Sequence, residues 1–259
     1  GRNFVSIPQL HRLIRDVQRL ASTRGSGIPL FISVDQEGGR VSRLKSPFSE
    51  FPSQSCLGKA QSEDLAFRFG QALAWELKAV GINMDFAPVL DVNTNPANPI
   101  IGNRALSDDP HWTARLGGAV VRGIRETGVL PVGKHFPGHG DTREDSHLEL
   151  PRVQKDAAAL DQTELLPFAH AIQEGLEAVM TAHVVYPAWD AEYPASFSKT
   201  ILQDILRTKL NFQGLVISDD LEMKAVENHF PLESIPALGL DAGLDLFLIC
   251  NSVEKTGAV

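Results

Sequence analysis

The densest chemistry in the sequence is the run Lys134-His135-Phe136-Pro137-Gly138-His139-Gly140-Asp141-Thr142-Arg143-Glu144-Asp145-Ser146-His147. Pro137, Gly138 and Gly140 forbid a helix there, so His135 and His139 cannot form the one-faced i, i+4 pair of a helical zinc site. Asp145 and His147 are separated by one small residue. A loop can then set the carboxylate against the imidazole, which fixes the tautomer, raises the basicity and makes a proton shuttle. Two solvated loop side chains are the plainer alternative. A second cluster, Ser218-Asp219-Asp220, closes the apolar run that begins at Gly214. Successive side chains on a strand point to opposite faces, so one carboxylate reaches the interior while the other turns outward or caps the next helix. A carboxylate so placed could attack the anomeric carbon of a sugar; a mere pair of helix caps is equally open. The third cluster holds Asp35, Glu37, Arg40 and Arg43, and the fourth is Gly102-Asn103-Arg104. Carboxylates and guanidinium groups together suit bidentate hydrogen bonds to neighbouring hydroxyls. They equally suit an ion pair between Asp35 or Glu37 and one of the arginines.

These residues need a scaffold that brings them together. Strand-like apolar runs lie at 29–34, 82–86, 129–133, 178–181, 214–218 and 244–249. Helical spacing fills the gaps: Leu10, Leu13, Ile14, Val17 and Leu20 repeat at three- and four-residue steps, and Ser62, Ser107 and Ser198 stand where N-caps would open further helices. Strict alternation of strands and helices means parallel pairing through right-handed crossovers. Asp35, Asp85, Lys134 with His135, His183 and Asp219 each end or follow a different strand, and a closed barrel brings so many strand ends around one mouth. An open doubly wound sheet would add a glycine-rich phosphate turn after its first strand, and Gly38-Gly39 is not one. The expectation is therefore an α/β chain, a (β/α)8 TIM-type barrel forming one domain over 1–259, lacking its first strand and C-terminal helix. Residues 93–102 and 138–153 read as long loops, and the glycines and polar side chains of the second predict poor packing and a mobile loop.

Composition narrows the partners. The 259 residues carry 24 Lys and Arg against 32 Asp and Glu, a net charge of −8, with 43% apolar residues. That supports a full core and argues against nucleic acid or an anionic membrane surface as partner. No stretch approaches the ~18 apolar residues of a membrane span. The two cysteines, Cys56 and Cys250, make neither a disulfide framework nor a structural zinc pattern. The chain opens on Gly1-Arg2-Asn3-Phe4 without a methionine or an export signal, so its natural N-terminus is expected to lie elsewhere.

Asp-Gln-Glu-Gly-Gly-Arg-Val at 35–41, Lys-His-Phe-Pro-Gly-His-Gly at 134–140, Asp-Ser-His at 145–147 and Ser-Asp-Asp-Leu at 218–221 stand in one order. From Arg2 to about Asn251 the chain resembles the bacterial β-N-acetylglucosaminidases of glycoside hydrolase family 3. The resemblance implies a retaining, two-step hydrolysis that removes terminal non-reducing β-N-acetylglucosamine. Asp219 would be the nucleophile, with Asp220 structural. His147, paired with Asp145, would be the acid/base. Asp35, Arg104, Lys134, His135 and His183 would hold the sugar, with Arg43 in support. It further implies a carbohydrate partner, no metal or other cofactor, a monomer, and a cytoplasmic role in peptidoglycan recycling. A β-glucosidase or a phosphorylase of the same family remains open, since an uncharged imidazole would not repel phosphate. A metal-dependent amidohydrolase barrel and a non-enzymatic carbohydrate-binding barrel are more distant alternatives.

Overall fold

The computed structural model describes residues 4–143 and 150–257. The strands are β1 (Ser33–Val34), β2 (Gln36–Gly38), β3 (Val41–Ser42), β4 (Met84–Asp85), β5 (Leu130–Phe136), β6 (Ala178–Thr181), β7 (Val185–Tyr186), β8 (Asp190–Pro194), β9 (Leu215–Asp220) and β10 (Leu246–Leu248). The helices are α1 (Ile7–Arg24), α2 (Ser55–Ala60), α3 (Glu63–Ala79), α4 (Pro110–Glu126), α5 (Ala157–Gln162), α6 (Leu165–Gln173), α7 (Lys224–Glu227), α8 (Ile235–Ala242) and α9 (Val253–Thr256), with a π-helical segment at Thr200–Lys209. Six strands pair in parallel in the order β1-β4-β5-β6-β9-β10. Spatial order follows chain order without reversal, so there is no switch point of the doubly wound kind. The curled sheet is that of a barrel wall.

Alternation along the strands sorts the core into two layers. Met84, Phe86, Val132, Ala178, Met180 and Ile217 meet inside the curl, with Leu130, Leu215, Leu246 and Leu248 beside them. Val179 and Val216, one residue out of phase, face the helices and join Leu90, Phe136 and Phe168. This inner layer plugs the barrel beneath its mouth and sets the floor of the site.

Caps explain several boundaries. Ser6 and Ser62 accept from the backbone N–H of Gln9 and Leu65, and open α1 and α3. α4 opens two residues later than Ser107 predicts, because Asp109 accepts from the Trp112 N–H and Pro110 supplies the first helical turn. Ser107 instead accepts from the Asp109 N–H at 3.1 Å. Ser198 does cap its segment, accepting from the Ile201 N–H at 3.2 Å. The strand expected over 29–34 shortens to β1 because side chains take its early backbone groups. Gln18 exchanges two 2.9 Å bonds with Leu30, and Asn83 Oδ1 accepts from the Ile32 N–H at 2.7 Å.

Gly38 and Gly39 turn β2 back into β3 with φ of +86° and +59°, and a Cβ on Gly38 would come within 2.5 Å of the Pro52 carbonyl oxygen. Only glycine tolerates both demands. The hairpin projects Asp35, Glu37 and Arg43 toward the barrel mouth.

Candidate active site

A cleft of about 1070 Å³ opens where the parallel strands end. Asp35, Arg43, Arg104, Lys134, His135 and Asp219 all line it. These residues come from strand ends and loops far apart in the chain, the arrangement in which barrel sites are built.

Their partners separate the two carboxylates of β9. Leu215 and Ile217 face the barrel interior, but β9 spends an extra residue between Ile217 and Asp220, and both aspartates line the cleft. Asp220 Oδ1 accepts from the Glu222 and Cys250 N–H groups at 3.1 and 3.3 Å, tying β9 to the end of β10. Asp219 Oδ1 accepts from the Asp220 N–H at 2.7 Å. Burial works to raise the pKa of Asp219, but His135, His183, that N–H and Lys134 together hold it below the usual carboxylate range. It is an ionised carboxylate facing the cleft.

β5 brings two adjacent side chains to the cleft by breaking its own alternation. Lys134 pairs with Met180 and Phe136 with Thr181, so β5 spends one extra residue there and bulges. Lys134 keeps the inward phase of Leu130 and Val132, His135 also reaches the cleft, and Phe136 returns to the outer core. The sequence reading put both residues beyond a strand ending at Gly133; they are strand residues.

Around Lys134 lies a buried charge network. Its Nζ donates to Asp35 Oδ1 at 2.8 Å and to Glu37 Oε1 at 2.7 Å, while Lys134 is only 2% exposed and Glu37 1%. Arg104 grips Glu37 in a fork, Nε to Oε2 at 2.9 Å and Nη2 to Oε1 at 2.8 Å. Burial would lift the Glu37 carboxyl, but Lys134 and Arg104 outweigh it and hold the pKa at about 2. Arg43 Nε lies 3.7 Å from Asp35 Oδ2 and closes the outer rim. The ion-pair alternative therefore holds together with the cleft placement. Asp85, read in the sequence as another mouth residue, is buried beneath the network; burial pushes its carboxyl well above the usual range.

His135 is held by a residue that the motif reading passed over. Asp91 is fully buried, and its Oδ1 accepts from the His135 and His139 N–H groups at 3.1 and 2.6 Å. Its Oδ2 lies 2.7 Å from His135 Nδ1. Burial opposes the charge of Asp91, yet His135 and His139 keep its pKa near 2. Arg104 Nη2 stands 3.4 Å from His135 Nε2 and can only donate, which assigns the ring proton to Nδ1 in this arrangement. Asp91 lies six residues beyond β4, whereas Asp35 directly follows β1, so the strand-end rule selects Asp85 and passes over Asp91. Asp91→Asn is expected to lower kcat/KM by about 10- to 100-fold, the cost of roughly 1.5–3 kcal/mol of charge-assisted hydrogen bonding. Steady-state kinetics alongside the 15N shifts of His135 would check this, and an unchanged ring tautomer with unchanged kinetics would refute it.

His183 lies elsewhere than the sequence reading expects. It is 1% exposed and does not line the cleft. Burial lowers its pKa, so the ring is neutral: Nε2–H donates to the Asp220 carbonyl at 3.2 Å and Nδ1 accepts from the Ser196 hydroxyl at 2.7 Å. With both nitrogens engaged, His183 braces the end of β9. Asp145 and His147 fall at 144–149, outside the described residues. Among the described residues no three metal-ligating side chains converge.

An ionised interior carboxylate opposite a rim of Lys, Arg, His and Asp makes a barrel cleft whose chemistry suits polyhydroxylated ligands beside a candidate nucleophile. Known proteins agree with that class. The family model described as the glycosyl hydrolase family 3 N terminal domain matches residues 1–258. The chain belongs to this family and is a glycoside hydrolase. It is 41% identical over 262 residues to a β-hexosaminidase of Idiomarina loihiensis, covering 100% of this chain and 76% of that protein. With a β-hexosaminidase of Tolumonas auensis it shares 42% over 264 residues, covering 100% of this chain and 75% of the relative. Among solved structures, a family 3 β-N-acetylglucosaminidase from Paenibacillus superposes with a TM-score of 0.97 at 41% identity over 99% of this chain. The chain spans 49% of that larger protein. NagZ from Neisseria gonorrhoeae, solved with N-trifluoroacetyl-D-glucosamine, gives 0.89 at 38% identity, covering 99% of this chain and 74% of its own.

Proposed function

We propose that the protein is a retaining exo-β-N-acetylhexosaminidase that removes terminal non-reducing N-acetylglucosamine. The observation that supports this most is the ionised Asp219 carboxylate facing the cleft at the end of β9, opposite the Lys134–Asp35–Glu37–Arg104 network. A carboxylate at that point attacks C1 as the glycosidic bond breaks, and the departing oxygen takes a proton from His147, oriented by Asp145. Water then attacks C1 of the glycosyl-enzyme, passes its proton to His147 and frees Asp219, so that two inversions give net retention. Asp35, Lys134, Arg104 and His135 hold the ring hydroxyls, and Arg43 steadies Asp35. Disaccharides released from peptidoglycan, hydrolysed in the cytoplasm during cell-wall recycling, are the natural substrates on this reading. No helix among the described residues is long and apolar enough to cross a membrane.

The test is release of nitrophenol from p-nitrophenyl N-acetyl-β-glucosaminide and from the β-glucoside, each with and without phosphate. Turnover of the N-acetyl substrate that ignores phosphate is expected. Phosphate-dependent turnover would reassign the protein as a phosphorylase, and preference for the glucoside would make it a β-glucosidase.

A further inference from the structure

We propose that Lys155 is a positioning residue for proton transfer: with Asp141, Thr94 and Glu164 it clamps the two limbs of the loop whose middle contains Asp145 and His147. This rests on the reading of His147 as the acid/base.

The described limbs of this loop are far better anchored than its glycines and polar side chains predict. On the ascending limb, Asn98 Nδ2 donates to the His139 carbonyl at 2.9 Å, to the Gly140 carbonyl at 3.2 Å and to Thr142 Oγ1 at 3.1 Å. Asn95 Nδ2 donates to the Thr142 carbonyl at 2.9 Å, and the Tyr186 hydroxyl to the Gly138 carbonyl at 2.6 Å. Gly140 lies so close to Val92 that a Cβ would stand 1.7 Å from its carbonyl oxygen. On the descending limb, Val185 pairs through its backbone with Pro151 and Val153, and Val153 is fully buried.

Side-chain linkage between the limbs runs through Lys155. Its Nζ donates to Glu164 Oε1 at 2.6 Å and to Thr94 Oγ1 at 3.3 Å, and lies 3.6 Å from Asp141 Oδ1. Thr94 Oγ1 in turn donates to Asp141 Oδ1 at 2.9 Å. Glu164 is 1% exposed and its second oxygen, Oε2, has no hydrogen-bond partner, so Lys155 is the cation that offsets a buried carboxyl. The stem of Glu164 packs on Gly138 of the ascending limb, where a Cβ would meet its Cβ and Cγ at 2.8 Å. Lys155, just past the descending limb, thus ties it to the ascending limb twice, at Asp141 and through Glu164 packed on Gly138. Neither Lys155 nor Glu164 lines the cleft, so they can act on the reaction only through the loop.

The experiment compares Lys155→Met with wild type in the intact protein on two N-acetyl-β-glucosaminides. A disaccharide has a leaving group that must be protonated; 2,4-dinitrophenolate departs without help. If the clamp positions the proton donor, kcat/KM on the disaccharide falls by about tenfold or more, while on the dinitrophenyl substrate it stays within about twofold. Lys155→Arg restores most of the loss. Equal losses on both substrates, or none on either, would overturn the proposal. Should Lys155→Met fail to fold, Asp141→Asn and Glu164→Gln must show the same leaving-group dependence, and its absence in both is equally fatal. His147→Ala separates the two ideas. If it shows no leaving-group dependence, the acid/base reading itself is lost; if it shows one and Lys155→Met does not, only the clamp is.

Discussion

Asp219→Asn is expected to lower kcat by on the order of 10⁴-fold or more, since an amide cannot serve as the nucleophile that a covalent route requires. The neighbouring Asp220→Asn is expected to cost less than about tenfold. Its Oδ1 accepts backbone N–H bonds from Glu222 and Cys250, and an amide carbonyl can still accept both. The contrast between two adjacent aspartates follows from their partners: His135, His183 and Lys134 hold Asp219 ionised, while Asp220 is tied to backbone N–H groups. Asp219→Ala supplies a second readout: azide, admitted where the carboxylate stood, should give the glycosyl azide of inverted configuration at C1. A large loss in Asp220→Asn with a small one in Asp219→Asn would place the nucleophile on the wrong residue. Retention of configuration in an azide product would remove the covalent route.

Lys134→Met is expected to destabilise the fold by about 3–5 kcal/mol and to impair substrate binding as well, because it strands the buried Glu37 beside a single remaining cation. The pH dependence carries a sign. Glu37 has a pKa of about 2 in the folded protein against an ordinary 4.5, so ionised Glu37 favours the folded state by roughly 3 kcal/mol. That contribution is complete above the ordinary value and is lost as the pH falls toward about 2. Without Lys134 the depression shrinks. The gap in Tm between wild type and variant should therefore be widest at neutral pH and narrow below about pH 4.5. Thermal melts across that range decide the matter: a gap independent of pH would mean that Glu37 is not the stranded charge.

Much of this architecture is legible in the sequence because parallel strands buried on both faces read as apolar runs, and each ends where chemistry begins. β6 matches its expected span, and β9 and β10 lie within two residues of theirs. Period-two alternation in the sequence sends Asp219 and Asp220 to opposite faces, but a bulge before Asp220 brings both to the cleft. Non-local contacts are what the sequence conceals. Asn83 and Gln18 shorten β1 by capturing backbone groups distant in the chain. His183 sits at a strand end like the cleft residues, yet Ser196 and the Asp220 carbonyl occupy both of its nitrogens. The described limbs of the 138–153 loop look unpackable until Asn95, Asn98 and Lys155 arrive from other segments.

The bulge in β5 works as a ruler. In a regular strand two side chains on one face are separated by two residues, about 6.6–7 Å. Lys134 and His135 are consecutive, so their backbone origins are only about half that far apart. Such a pair suits vicinal hydroxyls on a single pyranose ring, whereas an unbulged strand would reach more readily across two successive rings of a polymer. One inserted residue in one strand thus sets two polar side chains closer together at the cleft than an unbulged strand could. Deleting it would leave Phe136 in the outward phase it already holds and take one of the two adjacent polar side chains away from the cleft.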